Sequence, residues 1–94
     1  MEDKINIAEP VYFYDDCSKF DFMFKLTTIL YVDEDICLCV AKCTNESLGV
    51  PDEKFLFKIE TREVIITEYD SWCATNDVEW AEQEDERIQE RGGE

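Results

Sequence analysis

FDFMFKL, residues 20–26, carries the clearest secondary-structure signal in this 94-residue chain. Its apolar residues recur with a period of two, so that the phenylalanines and Leu26 share one face while Asp21 and Lys25 project from the other. A helix would scatter the phenylalanines around its axis. The segment therefore predicts a β-strand that continues to Val32, with a bend or bulge near Thr27 and Thr28, where the alternation changes phase.

Similar patterns on both sides of this strand predict partners for it. Short apolar or alternating segments occur at residues 11–14, 36–43, 55–59 and 63–69. Acidic turn residues separate some of them, at 15–18 and 33–35, and a loop without periodicity covers 44–54. We therefore expect an α+β fold, in which a small antiparallel sheet of four or five strands is followed by a C-terminal acidic helix.

The character of the chain changes after residue 69, where a helical segment is predicted at 77–91. Thr75 or Asn76 could cap this helix, and Asn76 stands three residues before Glu79, as in a capping box. The expected organisation is one domain, with an N-terminal arm (1–10), a β-sheet region (11–69), a connection (70–76), the acidic helix (77–91) and a tail (92–94).

Composition excludes several classes of function. The chain has 24 Asp plus Glu, 9 Lys plus Arg and no histidine, which gives a formal net charge of −15. Without histidine there is no Ser-His or Cys-His nucleophilic pair and no imidazole metal ligand. The three glycines form no phosphate-binding motif. We therefore expect no enzymatic activity and no cofactor.

The same charge restricts the partners of the protein. Nucleic acids and anionic membranes bind through lysine and arginine, so direct binding to either is not expected. No apolar run approaches the roughly 20 residues that span a bilayer. These features favour a cytoplasmic protein whose partner is basic.

Five cysteines lie at positions 17, 37, 39, 43 and 73, an odd number that favours reduced thiols over a disulfide framework. Cys37, Cys39, Cys43 and Cys73 could supply four thiolates to zinc, as in a metal-binding or redox protein. Their CxC and CxxxC spacings differ from the usual CxxC knuckle. The alternation along residues 36–43 instead favours small thiols that pack on one crowded face of the sheet.

Negative charge is concentrated at the C-terminus. From Glu68 onward there are ten acidic residues and two arginines, a local net charge of −8. A solvated, solubilising helix face would explain this pattern. The alternative is a contact surface for a basic partner, with aromatic anchors beside the charge. The candidate contact residues are Asp77, Glu79, Glu82, Glu86, Glu90, Trp72 and Trp80.

Imitation of a nucleic-acid backbone is one form of the contact hypothesis. Averaged over the whole surface, the negative charge is several-fold less dense than on B-DNA. Seven acidic residues from Asp77 to Glu90 would lie along about 22 Å of helix, near the phosphate spacing of about 3.4 Å in one strand. Such mimicry is therefore expected on one face only.

The chain resembles a widespread family of small acidic domains of unknown function from Gram-positive bacteria. The resemblance lies in the order of four segments: VYFYDD, FDFMFKLTTILYVDEDICLCVAKC, FLFKIE and DVEWAEQED. It implies a compact sheet closed by an acidic helix, and it implies no catalytic residue. The chain departs from the pattern in its cysteine-rich third strand, in the loop through Pro51 and in the absence of a glycine after Asp16.

The general character of the chain is also similar to that of phage-encoded inhibitors of host defence, including anti-CRISPR and anti-restriction proteins. The leading hypothesis is a non-enzymatic binding protein that acts in the host cytoplasm on a basic, nucleic-acid-binding protein such as a nuclease or a CRISPR effector. An immunity or antitoxin-like protein that neutralises a basic toxin is the alternative.

Overall fold

The computed structural model describes residues 4–15, 22–66 and 72–92. These residues form six strands, a short 3-10 helix (Glu46–Leu48) and one α-helix. The elements are β1 (Tyr12–Asp15), β2 (Phe24–Asp33), β3 (Ile36–Cys43), β4 (Glu53–Lys58), β5 (Val64–Ile66), β6 (Trp72–Thr75) and α1 (Val78–Gly92). All strands belong to one antiparallel sheet of order β5-β4-β3-β2-β1-β6. The predicted α+β class, the antiparallel sheet and the C-terminal helix are confirmed.

The long hairpin of β2 and β3 follows the sequence pattern closely. β3 covers the predicted residues, and Glu34 and Asp35 form the turn before it. The pairing of β2 with β3 shifts register between Leu26 and Thr28, at the predicted bulge, and shifts again between Ile29 and Tyr31. The predicted strand begins too early, because β2 starts at Phe24 rather than at Phe22 or before, and residues 20 and 21 lie outside the described residues. Of the predicted turn at 15–18, Asp15 ends β1 and residues 16–18 fall outside the described part of the chain.

The predicted number of strands is wrong because the segment assigned as a connection contains β6. This strand pairs along its whole length with β1, from Tyr12↔Thr75 to Asp15↔Trp72. Its four residues are too few to show a period of two, and its partner lies about sixty residues earlier in the chain. Pairing with a distant strand, rather than local alternation, determines this element.

The two edges of the sheet meet, so that the sheet closes on itself. Glu63, beside β5, forms an antiparallel bridge with Cys73 of β6. The Ala74 N–H also donates to the Arg62 carbonyl at 2.8 Å. Because β5 and β6 are the two ends of the strand order, these contacts produce a small, closed, six-stranded cylinder with one short seam.

Large and small side chains oppose each other inside the cylinder. Four fully buried phenylalanines each face an alanine or a cysteine on a neighbouring strand: Phe13↔Ala74, Phe24↔Cys43, Phe55↔Cys39 and Phe57↔Cys37. Phe13 and Phe24 also oppose each other, so the small partners on the other side of each ring leave room for this pair. This packing explains why the third strand is rich in cysteine.

The N-terminal arm crosses one end of the cylinder. Ile5 is buried in the core, and its N–H donates to the Ile59 carbonyl at 2.8 Å. Asn76, just after β6, accepts from the Asn6 N–H at 2.6 Å and donates to the carbonyls of Asn6 and Pro10. The arm therefore holds the segment that leads into α1.

Candidate protein-binding surface

Helix α1 begins at an aspartate cap. The Asp77 carboxylate accepts from the Trp80 N–H at 3.0 Å, and the Thr75 hydroxyl accepts from the Asp77 N–H at 3.1 Å. Asp77 therefore satisfies a free N–H of the first turn. The predicted cap at Thr75 or Asn76 and the predicted Asn76–Glu79 capping box are wrong, because Asn76 is engaged by the N-terminal arm.

One face of α1 packs on the outside of the sheet. Ala81 is fully buried against Tyr12 and Met23, with Val78 and Ile88 beside it. Asp85, on the same side, accepts from the Thr44 hydroxyl at 2.8 Å. These positions recur at helical spacing and set the rotation of α1. In the described part of the chain, no helix is long and apolar enough to cross a membrane.

The rotation of α1 leaves a row of carboxylates in solvent. Glu79, Glu82 and Glu86 are exposed and follow each other at i, i+3 and i+7, so they share one stripe of the helix. Glu84 is half-buried and forms an ion pair with Arg87. We call Glu79, Glu82 and Glu86, together with the exposed cap Asp77, the acidic stripe.

Contacts within the protein leave fewer carboxylates available to a partner than the sequence predicts. Asp85 bonds to Thr44, Glu84 to Arg87 and Asp77 to the Trp80 N–H, so three of the seven predicted acidic residues have partners within the protein. Glu79 and Glu86 lie about 10 Å apart along the helix axis. Three carboxylates over that length are spaced more widely than phosphates at about 3.4 Å. This spacing suits separate ion pairs with side chains better than imitation of a nucleic-acid strand.

The two predicted aromatic anchors have different environments. Trp80 is 37% exposed, and its indole meets the ring of Tyr14 edge-on with centroids 4.9 Å apart. Trp72 is 1% exposed and lies among the interior phenylalanines, so its assignment as a contact residue is wrong. Alternation places Trp72 inside once residues 72–75 form a strand. The side chain of Glu90, the last predicted contact residue, lies outside the described residues.

A polar groove of about 340 Å³ borders the acidic stripe. It runs between α1 and the outer face of β2 and β3, and Glu82, Asp85, Lys25 and Lys42 contribute to its lining. The Lys25 ammonium lies over the Tyr12 ring, 5.6 Å from its centroid, and Lys42 is 3.8 Å from Glu46. The lysines bring positive charge to this flank of Glu82, so the side of the stripe that lies away from the groove is the more negative one.

The four described cysteines serve mainly as packing residues. Cys37, Cys39 and Cys43 are buried, and Cys73 is half-buried. Burial raises the pKa of Cys37 and Cys43, and burial together with the neighbouring Cys37 raises the pKa of Cys39 to about 12. These thiols therefore keep their protons at neutral pH, which makes them poor nucleophiles. Among the described residues no group of three or more Cys, Asp or Glu is placed to hold a metal ion. Cys17 lies outside those residues.

A second exposed surface was missed by the sequence analysis. Four consecutive apolar residues of β2 are between 39% and 54% exposed: Ile29, Leu30, Tyr31 and Val32. They lie in the second half of β2, beyond the point where its pairing with β1 ends. The available signal was the uncharged run TTILYV, residues 27–32, which has no strict alternation. We call residues 28–33 the open edge of β2.

The fold and these surfaces define a class: a small, closed antiparallel sheet with an acidic helix on its outside and two exposed surfaces suited to protein contacts. Comparison with protein families, curated proteins and solved structures finds no match. The resemblance to small acidic domains from Gram-positive bacteria stays a prediction. Function is therefore inferred from the surface residues themselves.

Proposed function

We propose that this protein is a non-enzymatic binding protein whose acidic stripe contacts a basic, nucleic-acid-binding protein and occupies the surface that would otherwise bind phosphates. The observation that carries the proposal is the row of exposed carboxylates on α1, beside the face that Ala81 fixes to the sheet. A fixed helix presents its charges at defined positions along the axis, so little backbone order has to be gained on binding.

The chemistry of the stripe favours a protein partner that is basic. Carboxylates at intervals of one helical turn match lysine and arginine side chains, and arginine can bind a carboxylate through two parallel hydrogen bonds. Surfaces that bind nucleic acid concentrate these residues. The net charge of −15 adds long-range attraction, which raises the association rate and makes it sensitive to salt.

Trp80 would supply apolar contact area on a different side of α1 from the acidic stripe, the side that also carries Glu84 and Arg87 at i+4 and i+7. Its indole is partly exposed and is held edge-on by Tyr14, so it loses little conformational freedom when a partner covers it. Aromatic residues in such positions often contribute a large share of the binding energy. We therefore expect the acidic stripe to form the main contact, with Trp80 adding to it where the partner reaches around the helix.

The first experiment is affinity capture from bacterial lysate at about 0.1 M and about 0.5 M salt, with identification of the captured proteins by mass spectrometry. The proposal expects one dominant basic protein that is retained at low salt and binds more weakly at high salt. Charge attraction reaches about 10 Å at 0.1 M salt and only about 3 Å at 1 M. A diffuse set of basic proteins that all dissociate at high salt would contradict it.

A charge-matched pair of variants then tests the location of the contact. Glu82→Lys with Glu86→Lys changes the net charge from −15 to −11, since each reversal adds two charges. Asp52→Lys with Glu60→Lys makes the same change at exposed residues away from α1. The proposal expects the first variant to slow association with the captured protein at least tenfold and the second to slow it much less. Equal effects would mean that only the net charge matters, and the assignment to α1 would be wrong.

A further inference from the structure

The open edge of β2 has no strand beside it among the described residues. β1 pairs with β2 only at Phe24 and Lys25, and its last backbone contact is from the Leu26 N–H to the Val11 carbonyl at 2.9 Å. Beyond this point β2 continues for seven residues and pairs with β3 on its other side alone. The backbone groups that project from its free side are available to another strand.

The irregular pairing between Ile29 and Tyr31 is the one protective feature of this edge, and its side chains add no further protection. Edge strands in soluble proteins commonly carry lysine, proline or inward-pointing charges that prevent another strand from adding to them. Residues 27–32 contain none of these, and four of the six are large and apolar. Among the described residues, β5 and β6 are short and are joined by one bridge and one backbone hydrogen bond. The open edge of β2 is therefore the longest stretch of strand in the described structure to which another strand could be added.

We propose that the open edge of β2 pairs with the same edge of a second copy of this chain, in an antiparallel arrangement with two-fold symmetry. A two-fold axis between Leu30 and Tyr31 opposes Ile29 to Val32 of the other copy and Leu30 to Tyr31 of the other copy. Isologous pairing of this kind joins two identical surfaces, so one sequence must be complementary to itself.

The faces of the sheet agree with this register. Ile29 and Val32 pair with Cys39 and Cys37 of β3, which places both on the interior side of the sheet, so they share a face when they oppose each other. Thr28 and Asp33 pair with Val40 and Ile36, on the outer side, and they also share a face when opposed. Moving the axis by half a residue in either direction would oppose inner residues to outer ones.

Charge also agrees with the two-fold arrangement. In this register the carboxylate of Asp33 faces Thr28 of the other copy, so no carboxylate of the paired edge opposes another. The acidic stripe lies on α1, outside the paired edge. The remaining cost is the long-range repulsion between two chains that each carry −15.

The size of the contact predicts its strength. Six residues whose large side chains are only about half exposed bury far less than the roughly 800 Å² per partner of a standard interface. We therefore expect a weak dimer, with a dissociation constant of about 10 µM or higher. Salt should strengthen it, because screening reduces the repulsion while leaving apolar contacts and backbone hydrogen bonds in place.

Sedimentation velocity over a range of protein concentrations, at about 0.05 M and about 1 M salt, measures this association directly. The proposal expects reversible dimers that increase with both concentration and salt. Hydrogen exchange read by mass spectrometry should show slower exchange in residues 28–33 at high protein concentration.

Leu30→Lys and Leu48→Lys form a matched pair of variants. Both leucines are 49% exposed, and both substitutions change the net charge to −14, which by itself would favour association. The proposal expects Leu30→Lys to lower the association constant at least tenfold and Leu48→Lys to leave it equal or slightly higher. Because Leu30 opposes Tyr31 of the other copy, an equimolar mixture of Leu30→Lys and Tyr31→Glu should form heterodimers more readily than either variant forms homodimers.

A protein that stays monomeric at all concentrations and salts would overturn the proposal. Dimers that survive Leu30→Lys unchanged would also overturn it, because another surface would then be responsible. If a short peptide of alternating valine and lysine slows exchange in residues 28–33 of a monomeric protein, the edge instead accepts a strand from a basic partner.

Discussion

The ring of Phe13 stacks on the ring of Phe55, with centroids 4.5 Å apart and planes 9° from parallel. Phe13 lies in β1 and Phe55 in β4, which are separated by two strands in the sheet. The two rings can meet only across the interior of a closed sheet. The contact is therefore direct evidence that the sheet is closed, and a closed sheet leaves α1 and the open edge of β2 on the outside of the domain.

Phe13→Ala should be strongly destabilising, because it removes a ring that contacts both Phe55 and Phe57 from the centre of a small core. Large-to-small changes of this type cost about 3–5 kcal/mol, which is a large part of the stability of a domain of this size. Urea unfolding measures the loss. Leu48→Ala is the exposed control, with an expected change within about 0.5 kcal/mol. A loss below about 1 kcal/mol for Phe13→Ala would contradict the closed interior.

How far the sequence predicts the fold depends on which contacts are local. Strands β2 and β3 alternate over many residues and are joined by a short turn, so their pattern alone identifies them. Strand β6 has four residues and a distant partner, and the cap of α1 depends on the arm having taken Asn76 first. Neither of these features leaves a local pattern in the chain.

The candidate surfaces also combine features that local sequence patterns predict with features that depend on distant contacts. Spacing along a helix predicts that Glu82 and Glu86 share a face, and the structure agrees. Spacing alone could not show that Glu84 and Asp85 have partners within the protein or that Trp72 is interior. The open edge of β2 depends on where β1 ends, which is a property of the pairing rather than of residues 28–33 themselves.

Asp77→Ala should weaken the start of α1. The substitution removes the acceptor of the Trp80 N–H and an acidic group near the positive end of the helix. Loss of such a cap costs about 0.5–2 kcal/mol. Asp77→Asn keeps the acceptor oxygen and should retain most of the stability. Urea unfolding and the far-ultraviolet circular dichroism of both variants test this expectation, which fails if the two variants lose the same amount.

Stability should fall as pH rises above about 9, because of the buried thiols. Burial, and after it the neighbouring Cys37, raises the pKa of Cys39 from its ordinary value of 9.0 to about 12. Between these two values the unfolded chain loses this proton while the native protein keeps it, so the unfolded state is favoured. The contribution is fully present below pH 9 and is lost as pH approaches 12.

Urea unfolding between pH 7 and pH 11, in the presence of a reductant, measures this loss. Cys39→Ala should make the decline with pH shallower, since the titrating group is gone. Val11→Ala is the control: Val11 is 1% exposed and carries no titratable group, so this change should lower stability equally at every pH. A decline of the same slope in wild type and Cys39→Ala would show that other groups are responsible.

The two tryptophans should respond differently to acrylamide. Trp80 is 37% exposed and Trp72 is 1% exposed, so a soluble quencher reaches only the former in the native protein. In Trp80→Phe the remaining fluorescence should come from Trp72 and should be blue-shifted and several-fold less quenched than in wild type. Unfolding in urea should abolish this difference. Strong quenching of native Trp80→Phe would mean that Trp72 is accessible and that the interior is not closed.

Glu86→Lys should stabilise the protein and weaken its binding at the same time. Glu82 and Glu86 stand four residues apart on an exposed helix face, where like charges repel, whereas a glutamate four residues before a lysine attracts it. Replacing repulsion by attraction is worth roughly 0.5–1 kcal/mol. If the acidic stripe contacts a basic partner, the same change should slow association severalfold. Glu60→Lys makes an equal change of charge outside the helix and should alter neither property as much. A contact surface is expected to keep destabilising residues that binding requires, such as these like charges. A variant that is more stable and binds as fast as wild type would show that the stripe only solubilises the domain.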